Sequence, residues 1–393
     1  NVNTILGKTT GVVTATVSAD TASNLNSALT NATSTDALTL TITDTSLSSL
    51  TNLLALDTKT SVAVNAASIT SITETYANLN TAYSSAGISG LGNEAVTITD
   101  TQSATNVNTI LGKTTGVVTA TVSADTASNL NSALTNATST DALTLTVNGA
   151  TATASDLISL DGKTNIAISV TATSVSGTFT DLNNIYVTNV SNYSNLGDEN
   201  ITITDTQSAA NVNTIANKTS GAVTATVTSG AVTATLGALT NVDANDVITF
   251  TTTDTSVDAS DLVALAVKVD TLGVNTVNTV TEVYNTASLG TVVVNALNIT
   301  GNTEAVIITG GSISSTDTNA IVNATSGIVT ATVSADTAAN LNTNLVNATA
   351  TDALSLTVTD TSLSSLTNLL ALDAKTSVAV NASSITAISE TYA

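Results

Sequence analysis

The sequence lacks cysteine, proline, methionine, tryptophan and histidine, and its seven basic residues are all lysines. Aromatic residues make up 2% of the chain and charged residues 9%, whereas roughly 25% of an ordinary soluble domain is charged. Without cysteine there is no disulfide framework. Without histidine or cysteine, the commonest nucleophile–base pairs cannot be built. These absences argue against a disulfide-stapled domain and against an enzyme, so we predict no catalytic residues and no organic cofactor.

The residues that are present indicate a folded, acidic chain. Hydrophobic residues make up 42% of the sequence, and the mean hydropathy is +0.33, which is too apolar for a disordered segment. The net charge of −22 and the pI of about 4.1 predict repulsion from nucleic acid and from anionic lipid. No apolar run reaches the ~18 residues that a membrane helix needs. We therefore expect no nucleic-acid partner, no membrane insertion and an extracellular or cell-surface location.

The chain consists of long internal repeats. Residues 1–41 recur unchanged as residues 106–146, and the segment that begins at Glu94 returns in similar form at Glu199 and Glu304. The long repeat is therefore about 105 residues. We divide the chain into one continuous array of repeats with the bounds 1–105, 106–210, 211–315 and, in part, 316–393.

Each long repeat contains four subrepeats of about 22 to 33 residues that share one pattern. A stretch of alternating apolar and polar residues, such as Val13 to Val17, predicts a half-buried strand. Apolar residues then follow at a spacing of three and four, which predicts a short helix. This spacing is found in three sets, namely Ala22, Leu25, Ala28 and Leu29; Leu47, Leu50 and Leu54; and Val107, Ile110 and Leu111. The longest set is Ile69, Ile72, Tyr76, Leu79 and Tyr83.

Charged residues recur at the two ends of the predicted helices. An aspartate lies between strand and helix, where a carboxylate can accept a free helix amide as an N-cap; these residues are Asp20, Asp44, Asp100, Asp125, Asp205, Asp254, Asp336 and Asp360. A lysine lies at or just past the helix end, where the helix dipole favours a cation. These residues are Lys8, Lys59, Lys113, Lys163, Lys218, Lys268 and Lys375.

A strand, a cap and a short helix in so few residues predict one coil of a solenoid. Because parallel strands joined through a helix cross over in the right-handed sense, we predict a right-handed α/β solenoid. About fifteen strand–short-helix coils of about 22–33 residues would stack on one parallel β-sheet. A three-sided β-helix, with the helical stretches as further strands, is the alternative.

Three phrases in the chain, "TGVVTATVSADTASNLNSAL", "DALTLTVNGATATASDLISLDGKT" and "TSVAVNASSITAISETYA", resemble the repeats of very long secreted bacterial surface proteins, especially those of marine cyanobacteria. The resemblance covers the whole chain. It implies an adhesin, a surface-layer protein or an extracellular fibre component. Such proteins often carry calcium-binding nonapeptide repeats, and no Gly-Gly-x-Gly-x-Asp run occurs here.

Calcium binding is one alternative for the aspartates. Stacked carboxylates at the strand spacing of about 5 Å can hold a cation, and the candidate ligands are Asp20, Asp44, Asp100, Asp125 and Asp205. Helix capping is the other interpretation. Ala66 and Ala67 occupy the corresponding place in the third subrepeat and interrupt the row.

Two surfaces are candidates for contact with a partner. The pairs Thr14 and Thr16, Thr39 and Thr41, and Thr97 and Thr99 predict a threonine ladder, which ice-binding solenoids also carry, although Ala63 and Asn65 interrupt it. The tyrosines cluster in the third subrepeat, where they either fill a wider core or form an assembly face. They are Tyr76, Tyr83, Tyr186, Tyr193, Tyr284 and Tyr392.

We predict a structural, non-catalytic protein that forms an extracellular filament or a cell-surface array by end-to-end or continuous stacking. Its partners would be copies of itself or flanking repeats of the same chain. Because the sequence begins inside one repeat and ends inside another, we expect it to be a piece of a longer chain. The alternatives are the stalk of a giant adhesin and an ice- or calcium-binding solenoid.

Overall fold

A computed structural model describes residues 1–284 and 289–390. The chain forms two compact units, Asn1–Thr202 and Ile203–Ala393. Both are α/β structures in which many short parallel strands alternate with short helices. The predicted α/β class is therefore confirmed, while the continuity of the array over the whole chain stays a prediction.

The helices are short and recur once in nearly every subrepeat. In the first unit they are α1 (Val2–Leu6), α2 (Ala22–Ala28), α3 (Thr51–Asp57), α4 (Tyr76–Ser84), α5 (Ala104–Leu111), α6 (Ala127–Ala133), α7 (Ala154–Asp161) and α8 (Phe179–Asn183). A π-helical turn (Asn184–Thr188) and a 3-10 turn (Val190–Asn192) follow α8. In the second unit they are α9 (Ala209–Ala216), α10 (Val232–Ala238), α11 (Ala259–Ala266), α12 (Leu289–Thr300), α13 (Ser315–Ala324), α14 (Ala338–Asn344) and α15 (Thr367–Asp373).

The strands are also short. From the N-terminus they are β1 (Thr14–Thr16), β2 (Ala37–Thr39), β3 (Ser46–Leu47), β4 (Val64–Asn65), β5 (Ser71–Glu74), β6 (Ile88–Ser89), β7 (Ala95–Ile98), β8 (Val118–Thr121), β9 (Ala142–Thr144), β10 (Thr146–Val147), β11 (Thr151–Thr153), β12 (Ile168–Val170), β13 (Ser174–Gly177), β14 (Tyr193–Ser194) and β15 (Asn200–Ile203). They continue with β16 (Val223–Thr226), β17 (Val247–Thr251), β18 (Ser256–Asp258), β19 (Thr271–Gly273), β20 (Thr279–Val283), β21 (Ala305–Ile313), β22 (Val329–Val333), β23 (Ala353–Ser355), β24 (Ser362–Leu363) and β25 (Ala387–Ile388).

The described strands pair in parallel with strands of an adjacent subrepeat. Thr14 lies opposite Ala37, Thr97 opposite Thr119, and Thr224 opposite Val247. The strands belong to several sheets, so the prediction of one sheet is wrong. The reason is that many subrepeats contribute two short strands separated by a bend, for example β2 and β3, and each strand pairs in a row of its own.

The predicted helix of the third subrepeat begins too early. Ile72 lies in β5, which pairs with both β3 and β7, and α4 begins only at Tyr76. Leu47 likewise lies in β3 rather than in a helix. Pairing on both sides of β5 outweighs the local spacing of three and four, because Ser71 to Glu74 also alternates with a period of two. The β-helix alternative anticipates this strand but not α4.

Small aliphatic residues form the core, as their periodicity predicts. Leu38, Leu40 and Ile42 are fully buried beneath their strand, and Val107 and Ile110 are fully buried on one face of α5. The alternating strand residues face the opposite way and are largely threonine. Because the core is apolar, the polar side chains that can form specific bonds lie between the subrepeats.

Candidate functional site

Aspartates cap the helix of the preceding subrepeat rather than their own. The Asp44 Oδ2 atom accepts a hydrogen bond of 2.6 Å from the N–H of Ala22, the first residue of α2. In the second unit, Asp254 accepts the N–H of Val232, the first residue of α10, at 2.7 Å. Such a bond fills one of the amides that a helix leaves unpaired at its start. Asp360 repeats the contact with Ala338 of α14, also at 2.7 Å.

The third subrepeat uses the same device with other acceptors. Asp100 accepts the N–H of Tyr76, the first residue of α4, at 2.9 Å, and Glu74 in turn accepts the N–H of Leu50 ahead of α3 at 2.9 Å. Burial raises the pKa of the Glu74 carboxyl group, but hydrogen bonds from the backbone amides of Thr75 and Leu50 and from nearby side chains together lower it. The acceptor therefore comes from the later subrepeat and the donor from the earlier one.

A second group of aspartates is buried and accepts the first N–H group of a strand. These aspartates lie at the start of the second subrepeat of each long repeat. Asp141 is 4% exposed and accepts the N–H of Val118, the first residue of β8, at 2.8 Å. Its other oxygen accepts the N–H of Thr138 at 2.9 Å. Asp36 does the same for Val13 and Thr33, and these amides, Val13 first, lower the pKa of its carboxyl group. The equivalents in the second unit are Asp246 with Val223 and Asp352 with Val329.

Lysines close the other end of the preceding helices. Lys59 Nζ donates to the carbonyl oxygens of Asn26 and Leu29, at 2.8 and 2.9 Å, where α2 ends. Burial lowers the pKa of this ammonium group. The same slot gives bonds from Lys163 to Leu134, from Lys268 to Val242 and from Lys375 to Leu345. The predicted position just past a helix is confirmed, since Lys59 follows α3 and Lys163 follows α7. Their ammonium groups, however, bond to carbonyl oxygens at the end of the helix in the preceding subrepeat.

Asparagines form a third ladder outside the core. The Asn3 side-chain oxygen accepts the N–H of Asn31 at 2.8 Å, and Asn108 accepts that of Asn136 at the same distance. The side-chain amides of Asn31 and Asn136 donate a second bond, to the carbonyl oxygens of Asn3 and Asn108. In the second unit the donors are Asn241 and Asn347. In the first unit, two bonds donated by one asparagine fix the loop after a helix against the helix of the subrepeat before it.

The calcium candidates are already engaged by amide donors. Asp20 accepts the N–H of Thr21 and the side-chain amide of Asn24, which, Asn24 first, lower the pKa of its carboxyl group. Asp125 has the same bonds to Thr126 and Asn129. Asp100 and Asp205 each accept a bond from a nearby glutamine side chain, Gln102 and Gln207 respectively. Within residues 1–284 and 289–390 the structure places no three carboxylates together in a metal-binding cluster.

The prediction that these aspartates are the N-caps of their own helices is wrong. The side chains of Thr21, Thr126, Ser103 and Ser208 occupy the N-cap positions of α2, α6, α5 and α9. Asp20 and Asp125 precede the cap by one residue, and Asp100 and Asp205 precede it by three. The hydroxyl groups take this role because a threonine or serine directly before the helix can reach the N3 amide.

The described tyrosines differ in burial, and the assembly face stays a prediction. The Tyr83 and Tyr186 hydroxyl groups donate to the buried carboxylates of Glu94 and Glu199, and burial, aided by these carboxylates, raises the pKa of both phenols. Tyr193 is buried, and its hydroxyl group has no hydrogen-bond partner among the described residues. Tyr76 is half-buried, Tyr284 is exposed, and Tyr392 lies outside the described residues.

Threonines meet across neighbouring strands on the outer side of the sheets. Thr16 lies opposite Thr39, Thr97 opposite Thr119, and Thr121 opposite Thr144. Thr14, Thr16, Thr39 and Thr99 are exposed, and Thr41 and Thr97 are half-buried. Asn65 bridges to Thr41 and interrupts the row, as expected. Binding of ice by this surface stays a prediction.

The bonds between subrepeats are the feature that sequence reasoning missed. A signal for them existed, because Asp36, Asp141, Asp246 and Asp352 recur at nearly the same interval and so do Lys59, Lys163, Lys268 and Lys375. Periodicity alone could not show that each side chain acts on the subrepeat before it.

None of the helices in the described parts of the chain has the length and apolar character that a bilayer crossing requires. No family model matches the chain, and no curated protein matches its sequence.

Proposed function

We propose that this chain is a structural, non-catalytic repeat protein of the bacterial cell surface. In this proposal each compact unit is a right-handed α/β solenoid, and copies stack end to end to build an extracellular filament or a surface array. The observation that carries the proposal is the ladder of side-chain bonds between subrepeats, in which the carboxylates of one subrepeat accept the amides of the one before.

The direction of this ladder suits growth by addition. In the bonds to Asp44, Asp141 and Glu74, the acceptor side chain lies 22 to 24 residues after the amide it satisfies. A subrepeat that makes these bonds therefore presents amides on one side and carboxylates on the other. Surfaces that are complementary but different make heterologous contacts, and such contacts generate open filaments when the rotation does not close.

The surface chemistry supports an extracellular role. A net charge of −22 and an outer face rich in threonine keep a long polymer hydrated and disfavour contact with nucleic acid or anionic lipid. The buried carboxylates and the lysines bond to the backbone of the neighbouring subrepeat. The partners that fit this surface are further copies of the chain or flanking repeats of the same chain.

A stalk or spacer within a giant adhesin is the second candidate. One observation favours it: the bonds of the ladder join successive subrepeats along the chain, so they stiffen the array along its length. A stalk would hold a binding domain away from the cell, and stiffness would come from the same bonds.

Sedimentation and negative-stain electron microscopy of the purified chain, with and without a calcium chelator, separate these functions. A filament subunit forms unbranched fibres that lengthen with protein concentration and survive chelation. Particles that stay monomeric at every concentration would contradict the filament and favour the stalk. Fibres that dissolve in the chelator would bring calcium into the assembly.

A further inference from the structure

We infer that Asn148–Gly149 is a site of spontaneous covalent modification, at which Asn148 loses its side-chain amide and becomes aspartate or isoaspartate. It is the one place in the sequence where glycine follows asparagine. The pair lies in the bend between β10 and β11 of the second long repeat. Both residues are exposed, so water reaches them.

The geometry leaves the reacting groups available. The attacking atom is the backbone nitrogen of Gly149, and its N–H has no acceptor among the described residues. The Asn148 side chain likewise has no hydrogen-bond partner there, while its own backbone N–H is held by the carbonyl oxygen of Asp125 at 3.0 Å. Gly149 has a φ of +104°, a conformation open to glycine because it has no Cβ.

The reaction balances with water as the only co-reactant. The Gly149 nitrogen bonds to the Asn148 side-chain carbon, the bond from that carbon to the amide nitrogen breaks, and ammonia leaves with the amide proton. Water then opens the resulting five-membered imide. Opening at one carbonyl gives aspartate, and opening at the other gives isoaspartate, in which the main chain runs through the β-carbon.

The other long repeats show what the modification changes. In the first repeat the residues equivalent to Asn148 and Gly149 are Thr43 and Asp44, since Thr43 donates its N–H to Asp20 as Asn148 does to Asp125. The second repeat alone lacks the aspartate at this slot, where the third and fourth carry Asp254 and Asp360. Modification of Asn148 therefore places a carboxylate next to Gly149, the position at which the other long repeats carry an aspartate, and adds one negative charge.

The chain provides an internal contrast at Asp161–Gly162, the similar Asp-Gly pair. The N–H of Gly162 is bonded to the carbonyl oxygen of Ile158 at the end of α7. Its nitrogen is therefore held in the helix cap and is not available for attack. We expect Asp161 to remain normal aspartate under conditions that convert Asn148.

Peptide mapping of the aged, folded chain tests the inference. After incubation at mildly alkaline pH, cleavage at lysine isolates residues 114–163, and fragmentation that distinguishes isoaspartate from aspartate locates the change. We expect conversion at Asn148 to outpace that at Asn129, Asn131 and Asn136 in the same peptide, with both products present. The peptide of residues 9–59, which is similar but contains no Asn-Gly pair, is the matched control and should stay intact.

Two variants make the test decisive. Asn148→Thr installs the residue of the first repeat and should abolish the change, and Asn148→Gln, whose longer side chain would need a larger ring, should suppress it. Conversion no faster at Asn148 than at Asn136 would overturn the inference. Conversion seen only after unfolding in urea would also overturn it, because the folded bend would then protect the pair.

Discussion

The first two long repeats contain one segment in two settings. Residues 1–41 and 106–146 are identical, and both include the same short helix, α2 and α6. In the first copy the N–H of Ala22 is capped by Asp44. In the second copy glycine, Gly149, replaces the aspartate at the equivalent position, and the N–H of Ala127 has no acceptor among the described residues. The difference shows that a subrepeat is completed by the one that follows it.

Other contacts of the two copies differ in the same way. Lys59 reaches two carbonyl oxygens at the end of α2, whereas Lys163 reaches one at the end of α6. The Asn26 amide donates to Asn52, whereas the equivalent Asn131 donates to Asp156. The interface therefore tolerates exchange of its outer polar groups. The buried strand cap, Asp36 or Asp141, is the same in both copies.

Loss of the buried strand cap is expected to have the largest effect. Asp141→Ala would leave the N–H groups of Val118 and Thr138 without an acceptor. We expect the free energy of unfolding to fall by about 3 kcal/mol, since an unsatisfied buried donor costs about 1–3 kcal/mol. Urea unfolding followed by circular dichroism measures the loss.

The exposed Asp198 serves as control, because Asp198→Ala should change stability little. Asp36→Ala should cost less than Asp141→Ala, since Val13 is half-buried while Val118 is fully buried. An Asp141→Ala variant as stable as the wild type would show that the strand amide does not need this carboxylate.

Exchange of the helix-cap slot between the copies comes next. Asn148→Thr, Gly149→Asp and Ala150→Thr together give the second repeat the residues of the first, and the introduced aspartate is expected to accept the Ala127 N–H. We expect a gain of about 1 kcal/mol in the free energy of unfolding, the usual value of an N-cap.

The reciprocal triple variant, Thr43→Asn, Asp44→Gly and Thr45→Ala, should lose about the same amount. The three residues are exchanged together because Gly149 has a positive φ, which aspartate alone would not adopt without strain. Changes of the same sign in the two variants would refute the equivalence of these slots.

Removal of the lysine contacts should have a smaller effect. Lys59→Met removes two bonds to carbonyl oxygens, and Lys163→Met removes one. We expect losses of about 1 and about 0.5 kcal/mol, the range for a cation at a helix C-terminus. The comparison is Lys113→Met, at the position that recurs as Lys8 and Lys218. Thermal unfolding gives the order of the three losses. Equal losses for Lys59 and Lys163 would show that the second carbonyl contact adds nothing.

The smallest expected effect is on the pH dependence of stability. It comes from two equivalent glutamates, Glu74 in the first unit and Glu282 in the second. Burial and the nearby Asp258 raise the pKa of Glu282, while the pKa of Glu74 is lowered. The stability from Glu74 is therefore present above the ordinary glutamate range and is lost as pH falls through its lowered pKa. The stability from Glu282 is present at low pH and is lost as pH rises through its raised pKa.

Replacement by glutamine tests this difference. At neutral pH, Glu74→Gln should lower the urea midpoint, whereas Glu282→Gln should leave it unchanged or raise it, because it relieves the repulsion from Asp258. The two variants should converge toward the wild type as the pH falls below both carboxyl pKa values. A fall of the same size in both variants at neutral pH would contradict the assignment.

Sequence periodicity predicted much of the fold. The alternation around Val13, Leu38 and Val96 located β1, β2 and β7, and the spacing of Val107, Ile110 and Leu111 located α5. The second strand of many subrepeats was missed, as at Ile72, because its short alternating run also fits a helix. Whether such a run becomes strand or helix depends on its neighbours in the adjacent subrepeats, and these are distant in sequence.

The candidate site was predictable only in part. The recurrence of acidic and basic residues marked their positions in the repeat. The preference of lysine for a helix end did not by itself show that Lys59 contacts α2, because that contact depends on how the subrepeats stack. The direction of the bonds follows from register, which places Asp44 beside Ala22 although 22 residues separate them. Register is a property of the folded array, and single-sequence patterns do not contain it.

The most direct test of the account is the amide exchange rate of Ala22 and Ala127 in one molecule, measured by NMR. These residues lie in identical sequence, so their intrinsic exchange rates are the same. We expect slower exchange at Ala22, which Asp44 caps. Exchange at Ala127 should slow to the same rate once residues 148–150 of the second repeat are changed to Thr-Asp-Thr. Equal rates in the unaltered chain would contradict the claim that each subrepeat is completed by the next.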